Sequence, residues 1–455
     1  MVRSGVTGSL SGGLAPRRGR GASFLPLILE VKAMRAVRFS AVGDLFDKDS
    51  ATRALMDDLG EVQRRPEAFL NLGGGNPARV PEVHAHFASR LAQLASERRL
   101  DSAFAGYEDP QGPLAFRQQV AAFLARRQGW PVSADNILCT AGSQASFFML
   151  FNLLAGDTAG GRRRRILLPQ TPEYIGYSGL CLQADCLRTV DSLTVSTGPT
   201  RFRYAIDLAH LEIDPSDTAA ICLSRPTNPT GNICSDEELA MLAARAAAAE
   251  VPLIVDCAYG EPFPGITHVP HSLPWSPSLV ACFSLSKLGL PGMRLGLVVA
   301  NPSIIRALTN FNTAMMLSVN PLGASMASSL FEDRLLDQLV SQTIRPFYRA
   351  RLDYALKCCD ESFAGLDYRI HEPGGAIFLW VWFRDSRIDS QVLYERLKRR
   401  GVLVIPGHHF APAGGAGADG HLRQCLRLSF AQPEDVVARG VAVIGEEVRK
   451  ILAPG

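Results

Sequence analysis

The chain has 455 residues, 47% hydrophobic and 20% charged, with a formal net charge of +3. That length supports a large core and about two or three domains. A charge this near balance argues against a partner recognised by bulk charge, nucleic acid included. Ten cysteines include no CxxC pair, though Cys358 and Cys359 are adjacent. They read as buried apolar side chains in a reducing compartment, hence a cytoplasmic protein. No apolar run reaches membrane-spanning length, so no membrane partner is expected.

Residues 1–33 carry no acid before Glu30 and are rich in Gly, Ser and Arg. FLPLIL is short for a signal-peptide core and lacks a small-residue cleavage site after it. The stretch reads as a disordered extension ahead of a start at Met34, with an organelle transit peptide as the competing reading.

After Met34, LGGGNPA (Leu72–Ala78) follows the apolar FLNL, and its glycines let backbone approach a ligand. An ordinary loop would look the same. FASRLAQLASERRL and GPLAFRQQVAAFLARR have helical spacing, with Tyr107 in the intervening GYEDPQG turn. NILCTAGSQASFFMLFNLLAG reads as strand, tight turn and helix. Gly142, Ser143 and Gln144 therefore lie at a helix N-terminus, where free N–H groups favour an anion. Capping by Ser143 would explain the turn equally well.

Strand-like runs then recur at βα spacing. RRILLP leads into QTPEYIGY with Tyr174, and AAICLSRP leads into TNPTGN with Asn228. Ser235-x-x-Glu238 forms a capping box before LAMLAARAAAA. VPLIVDCAYG ends in Asp256, with Tyr259 three residues on. SLVACFSL ends near Ser284 and delivers Lys287, and LGLPG carries Arg294 into RLGLVVA. The pattern predicts an α/β domain with a mostly parallel sheet covered on both faces. From about residue 330, helical stretches such as LLDQLVSQTIRPFYRARLDYALKCCDES alternate with the short strands GAIFLWVWF, GVLVIPG and CLRLSFA. That predicts a second, smaller α+β domain. PAGGAGADG (Pro412–Gly420) reads as a surface loop, and neither a Walker nor a Rossmann glycine loop is present.

Gly142–Gln144, Tyr174, Asn228, Asp256 and Lys287 each fall at or just beyond the carboxyl end of a predicted strand, the edge where open α/β sheets bind ligands. Alone, Lys287 could be a strand-end lysine with its ammonium in water. In that company it reads as a Schiff-base lysine. A buried aspartate needs a cationic partner, which a protonated pyridine nitrogen would supply. Such a ring is an electron sink for a substrate carbanion, and a freed lysine amine can carry the proton. Tyr259 and Asn228 can hydrogen-bond a ring oxygen, and Tyr174 can stack on the ring. The N–H groups of Ser143 and Gln144, with Ser284 and Arg294, suit a phosphate.

In this order and spacing, GYEDPQG, TAGSQ, PEYIGY, RPTNPTG, DCAYG, SLSKLGLPGMRLG and CLRLSF resemble the fold-type I pyridoxal-phosphate aminotransferases, from about Met34 to the C-terminus. LGGGNPA, SRPTNPTGN, AYGEPFPGI and GAIFLWVWF resemble the members that act on valine and pyruvate. The resemblance implies a pyridoxal 5'-phosphate cofactor and a large domain over 88–328. Residues 34–87 would be an arm of a small domain completed by 329–455. Lys287, Asp256 and Tyr259 would be catalytic, with Asn228 and Tyr259 on the ring oxygen. Arg427 would bind the substrate α-carboxylate, with Gly75 and Asn228 close by. Tyr107 would reach the phosphate of a neighbouring subunit, so a homodimer with shared sites is implied. Arg294 lies seven residues after Lys287, where many members have eight. The expected reaction is L-valine plus pyruvate to 3-methyl-2-oxobutanoate plus L-alanine. Another neutral or aromatic amino-acid aminotransferase, or a carbon–sulfur β-lyase of the same fold, stays open. A non-enzymatic regulator would need a helix-turn-helix domain, which the N-terminal tail cannot form.

Overall fold

The computed structural model describes residues 38–47, 51–412 and 420–454. The extension expected over 1–33 and most of the loop Pro412–Gly420 lie outside the described residues. The central sheet runs in the order Ile137–Thr140, Gly296–Val299, Leu279–Ser284, Leu253–Asp256, Thr218–Ser224, Arg163–Leu168 and Gly156–Asp157. Leu187–Thr189 also pairs with Arg163–Leu168. Its middle is parallel, and Gly296–Val299 runs antiparallel to both neighbours. The expected α/β architecture is present.

The apolar runs form strands because both faces of the sheet are covered. Leu279, Ala281 and Phe283 enter one core, and Val280 and Cys282 the other, so successive side chains feed opposite faces. Ser235 caps the helix Asp236–Ala248 and Glu238 returns the bond, as the capping box predicts. The run expected as one helix after residue 334 differs. A π-helical turn at Leu339–Ile344 joins Leu335–Gln338 to Arg345–Ser362. Pro346, at the start of the last helix, has no N–H to donate back, which favours a widened turn there.

A second sheet runs in the order Ile405–Pro406, Cys425–Ser429, Phe378–Phe383, Tyr368–His371, Arg201–Ala205 and Leu193–Ser196. The hairpin of its last two strands comes from within 88–328, so this sheet crosses the boundary expected at residue 328. The helices Arg345–Ser362 and Glu434–Leu452 pack together. Leu70–Asn71 pairs with Val402–Leu403, which ties the segment before the glycine turn to the C-terminal part.

An aromatic cluster fills the core behind the sheet: Phe263 lies 4.9 Å from Phe283, 5.6 Å from Phe331 and 6.0 Å from Phe123, centroid to centroid. Phe263→Ala should cost about 3–5 kcal/mol, read as a lower denaturant midpoint. A midpoint equal to wild type would show that this cluster does not hold the core.

Candidate active site

Four parallel or antiparallel strands of the central sheet end at one edge with Thr140, Ser224, Asp256 and Ser284. The edge opens into a cavity of about 490 Å³. Every expected site residue lines it except Gly142 and Tyr107. Gly142 sits directly behind the lining as the N-cap of the helix Ser143–Leu154. No side chain caps that helix, so the capping role considered for Ser143 is not the one it has. Its first N–H groups lack intrahelical acceptors and lie at the cavity edge. A Cβ at Gly142, where φ is +93°, would collide with the Arg294 guanidinium, so only glycine lets Arg294 lie over this helix end. Tyr107 is 85% exposed and takes no part in the cavity of its own chain.

The Lys287 Nζ donates to the Gly75 carbonyl at 2.7 Å and sits 5.3 Å from the Tyr259 ring centroid. Burial, with the nearby Arg427 charge, lowers its amine to about 8 against the opposing pull of Asp256. Burial also raises the Asp256 carboxyl to about 6, although the Ala258 N–H, the Tyr177 hydroxyl and Lys287 all favour its anion. The Ala258 N–H donates to Oδ1 and the Tyr177 hydroxyl to Oδ2, each at 2.9 Å, while Lys287 acts through its charge.

Arg427, on the strand Cys425–Ser429, is buried and forms no ion pair among the described residues. Its guanidinium donates to the Asn228 Oδ1 at 2.9 Å and to the Gly73 carbonyl at 2.6 Å. It lies 4.1 Å from the Phe378 ring centroid and 5.2 Å from that of Phe410, and its Nε has no acceptor. Because Arg427 takes the Asn228 oxygen, the Asn228 amide N–H groups are left for the cavity. Arg294 donates to the Ser286 hydroxyl at 3.3 Å and forms no ion pair among the described residues. Tyr174 donates to Gln144 Oε1 at 3.3 Å, which aligns its ring beside the helix end.

Several residues of the site were not singled out by the sequence. Tyr177 is fully buried and holds Asp256. Its signal was its spacing from Tyr174 in PEYIGY, since three residues bring both rings to one side of a tight turn, Ile175–Gly179. Glu173 is buried beneath the same turn, and burial pushes its carboxyl up to about 7. Leu55, Met56 and Leu59, from the helix Ala51–Arg64, form an apolar wall with Ile175. That helix is fastened through Asp58, which accepts from Tyr394 and, at 2.6 Å, from Lys398 of the helix Ser390–Arg399.

This fold and the match of its family model define a pyridoxal-phosphate-dependent aminotransferase. The chain belongs to the class I and II aminotransferases, whose model matches residues 69–444. It is 40% identical over 418 residues to valine–pyruvate aminotransferase of Escherichia coli (strain K12), covering 91% of this chain and 99% of that one. A crystal structure of a putative amino-acid aminotransferase from Psychrobacter arcticum 273-4 superposes with a TM-score of 0.88 at 38% identity, covering 91% and 99%. One of valine–pyruvate aminotransferase from Salmonella typhimurium LT2 gives a TM-score of 0.81 at 37% identity, covering 89% and 100%.

The cavity suits the cofactor's chemistry on its own observations. A helix end uncapped by any side chain, with an arginine over it that has no ion pair among the described residues, suits a phosphate. A carboxylate and an amine share the same cavity for a ring nitrogen and an aldehyde.

At pH 8 about half of Lys287 would be neutral, on the order of 100-fold more than an ordinary lysine near 10.4. Brief treatment of the apoprotein with pyridoxal phosphate and borohydride at that pH should therefore modify Lys287 first, as read by peptide mapping. Uniform modification of surface lysines would contradict the assigned environment.

Proposed function

We propose that the enzyme transfers the amino group of L-valine to pyruvate, giving 3-methyl-2-oxobutanoate and L-alanine in two half-reactions that alternate at one cavity. The carrying observation is the cation count. Among the described lining residues the cations are Lys287, Arg294 and Arg427. Arg294 lies at the helix end and Lys287 is the amine, so Arg427 alone is left for a substrate carboxylate. A second carboxylate would have no partner, which favours monocarboxylic amino acids over dicarboxylic ones. Leu55, Met56, Leu59 and Ile175 offer the rest of the substrate an aliphatic surface. The names of the relatives from Escherichia coli and Salmonella typhimurium agree.

Pyridoxal phosphate, when bound, supplies an aldehyde that condenses with amines and a ring that withdraws electrons from the substrate α-carbon. The Ser143 and Gln144 N–H groups, Ser284 and Arg294 would hold its phosphate. Asp256, anionic above about pH 6, would hold the ring nitrogen's proton, and the Asn228 amide and Tyr259 hydroxyl would donate to the ring oxygen. Tyr174 would cover one ring face. Lys287 would bind the aldehyde in the resting enzyme. Its neutral Nζ then takes and returns the substrate α-proton, a task suited to an amine tuned near the working pH.

A homodimer with shared sites is part of this reading. Phe104, Tyr107 and Leu114 are 68%, 85% and 52% exposed, a concentration of apolar surface suited to a subunit contact. The ten free cysteines support a cytoplasmic location, and no helix among the described residues is long and apolar enough to cross a membrane.

Arg427→Ala should raise the KM for valine by about 10- to 100-fold, the worth of a lost charged hydrogen-bond pair. Initial rates with valine and pyruvate should give parallel double-reciprocal lines. Absence of turnover with that pair, alongside turnover with another, would sink the substrate assignment. Mixing inactive Lys287→Ala subunits with Tyr107→Phe subunits should yield hybrids with one intact site. At equal mixing roughly a quarter of wild-type activity should return; no gain over the separate variants would refute the shared site.

A further inference from the structure

Glu173 takes no part in the reaction as described, yet it is fully buried and has no cationic partner among the described residues. Four donors surround its carboxylate. The Ser224 N–H at 3.0 Å and the Gln170 amide at 3.1 Å reach Oε2. The Tyr174 N–H at 2.9 Å and the Ser224 hydroxyl reach Oε1. Burying a carboxylate without a cation is costly, and glutamine would fill the same space. What glutamine cannot supply is the two acceptor-only oxygens that the ionised carboxylate offers above about pH 7, so the comparison is made at pH 8.

Those bonds join the segments from which the cavity is built. One is the turn carrying Tyr174 and Tyr177, the latter holding Asp256. Another is the end of the strand Thr218–Ser224, where Ser224 lies beside Asp256 in register and the chain continues to Asn228. The third is reached through the Glu173 N–H, which donates at 2.9 Å to the carbonyl of Phe410, whose ring lies by Arg427.

We propose that Glu173 is a positioning residue for the cofactor site: its acceptor-only carboxylate fixes Tyr174 and Tyr177, and through Tyr177 the Asp256 carboxylate, in the orientation that the pyridine ring requires. This rests on the family's cofactor and not on valine as donor.

Glu173→Gln tests it with little change in volume. Each carboxylate oxygen accepts from one backbone N–H, and a backbone donor cannot reverse. Whichever way the amide is turned, its NH₂ meets either the Tyr174 or the Ser224 N–H and one bond is lost. The apoprotein variant should keep its unfolding midpoint within a few degrees of wild type. Its Kd for pyridoxal phosphate, from quenching of tryptophan fluorescence, should rise about 10-fold, and the visible band of the bound cofactor should change its pH midpoint. Combined with Tyr177→Phe, the two effects on Kd should be less than additive, because both act on Asp256. An unchanged Kd, additive effects, or a loss of affinity matched by loss of apoprotein stability would overturn the proposal. If Glu173→Gln fails to fold, Ser224→Ala reads the same contact: a raised Kd supports the role and an unchanged one overturns it. None of these readouts involves an amino donor, so failure of the valine assignment would be seen separately.

Discussion

Carbonyl oxygens of one glycine turn hold two cations of the cavity, the half-buried Lys287 and the buried Arg427. Gly75 accepts from Lys287 and Gly73 from Arg427, while Asn71 steadies the turn by accepting from the Gly73 and Gly74 N–H groups. Neutral acceptors keep a cation desolvated without neutralising it. Burial and the Arg427 charge leave the amine easy to deprotonate, and the guanidinium is left wanting an anion. A carboxylate in place of either carbonyl would quench that demand.

The sheet supplies the opposite charge from the other side. Asp256 ends a strand in the middle of the parallel run, with neighbours at Ser224 and Cys282 in register. The strand edge thus puts an anion and the lysine that follows the next strand into one space. The second sheet brings Arg427 from above, between Phe378 and Phe410. Three separate stretches of chain meet here: the central sheet spaces Asp256 and Lys287, and the glycine turn ties Lys287 to Arg427.

Much of this was readable in the residues because it depends on local order. Buried strands showed as unbroken apolar runs, and the chemistry-bearing residues showed as polar exceptions at their ends. Asp256, Asn228 and Lys287 could be found in that way. Tyr177 left only its spacing from Tyr174 and Glu173 left no signal, since their partners lie 79 and 51 residues away in sequence. A tyrosine or glutamate in a turn looks like surface until the fold buries it. The apolar wall was hidden for the same reason: Leu55, Met56 and Leu59 form an ordinary amphipathic stripe until the helix is set over the cavity. The hairpin at 193–205 joined the second sheet through a parallel pairing with Tyr368–His371, a contact that periodicity does not encode. The π-turn at Leu339–Ile344 was not read either, because the run through Pro346 has continuous helical spacing.

The fastening of the helix Ala51–Arg64 by Asp58 has a mechanical consequence. Its anchor, the helix Ser390–Arg399, belongs to the C-terminal part that also carries Arg427. The apolar wall of the cavity and Arg427 are therefore mounted on the same frame. Any tilt of that frame away from the central sheet would carry both with it.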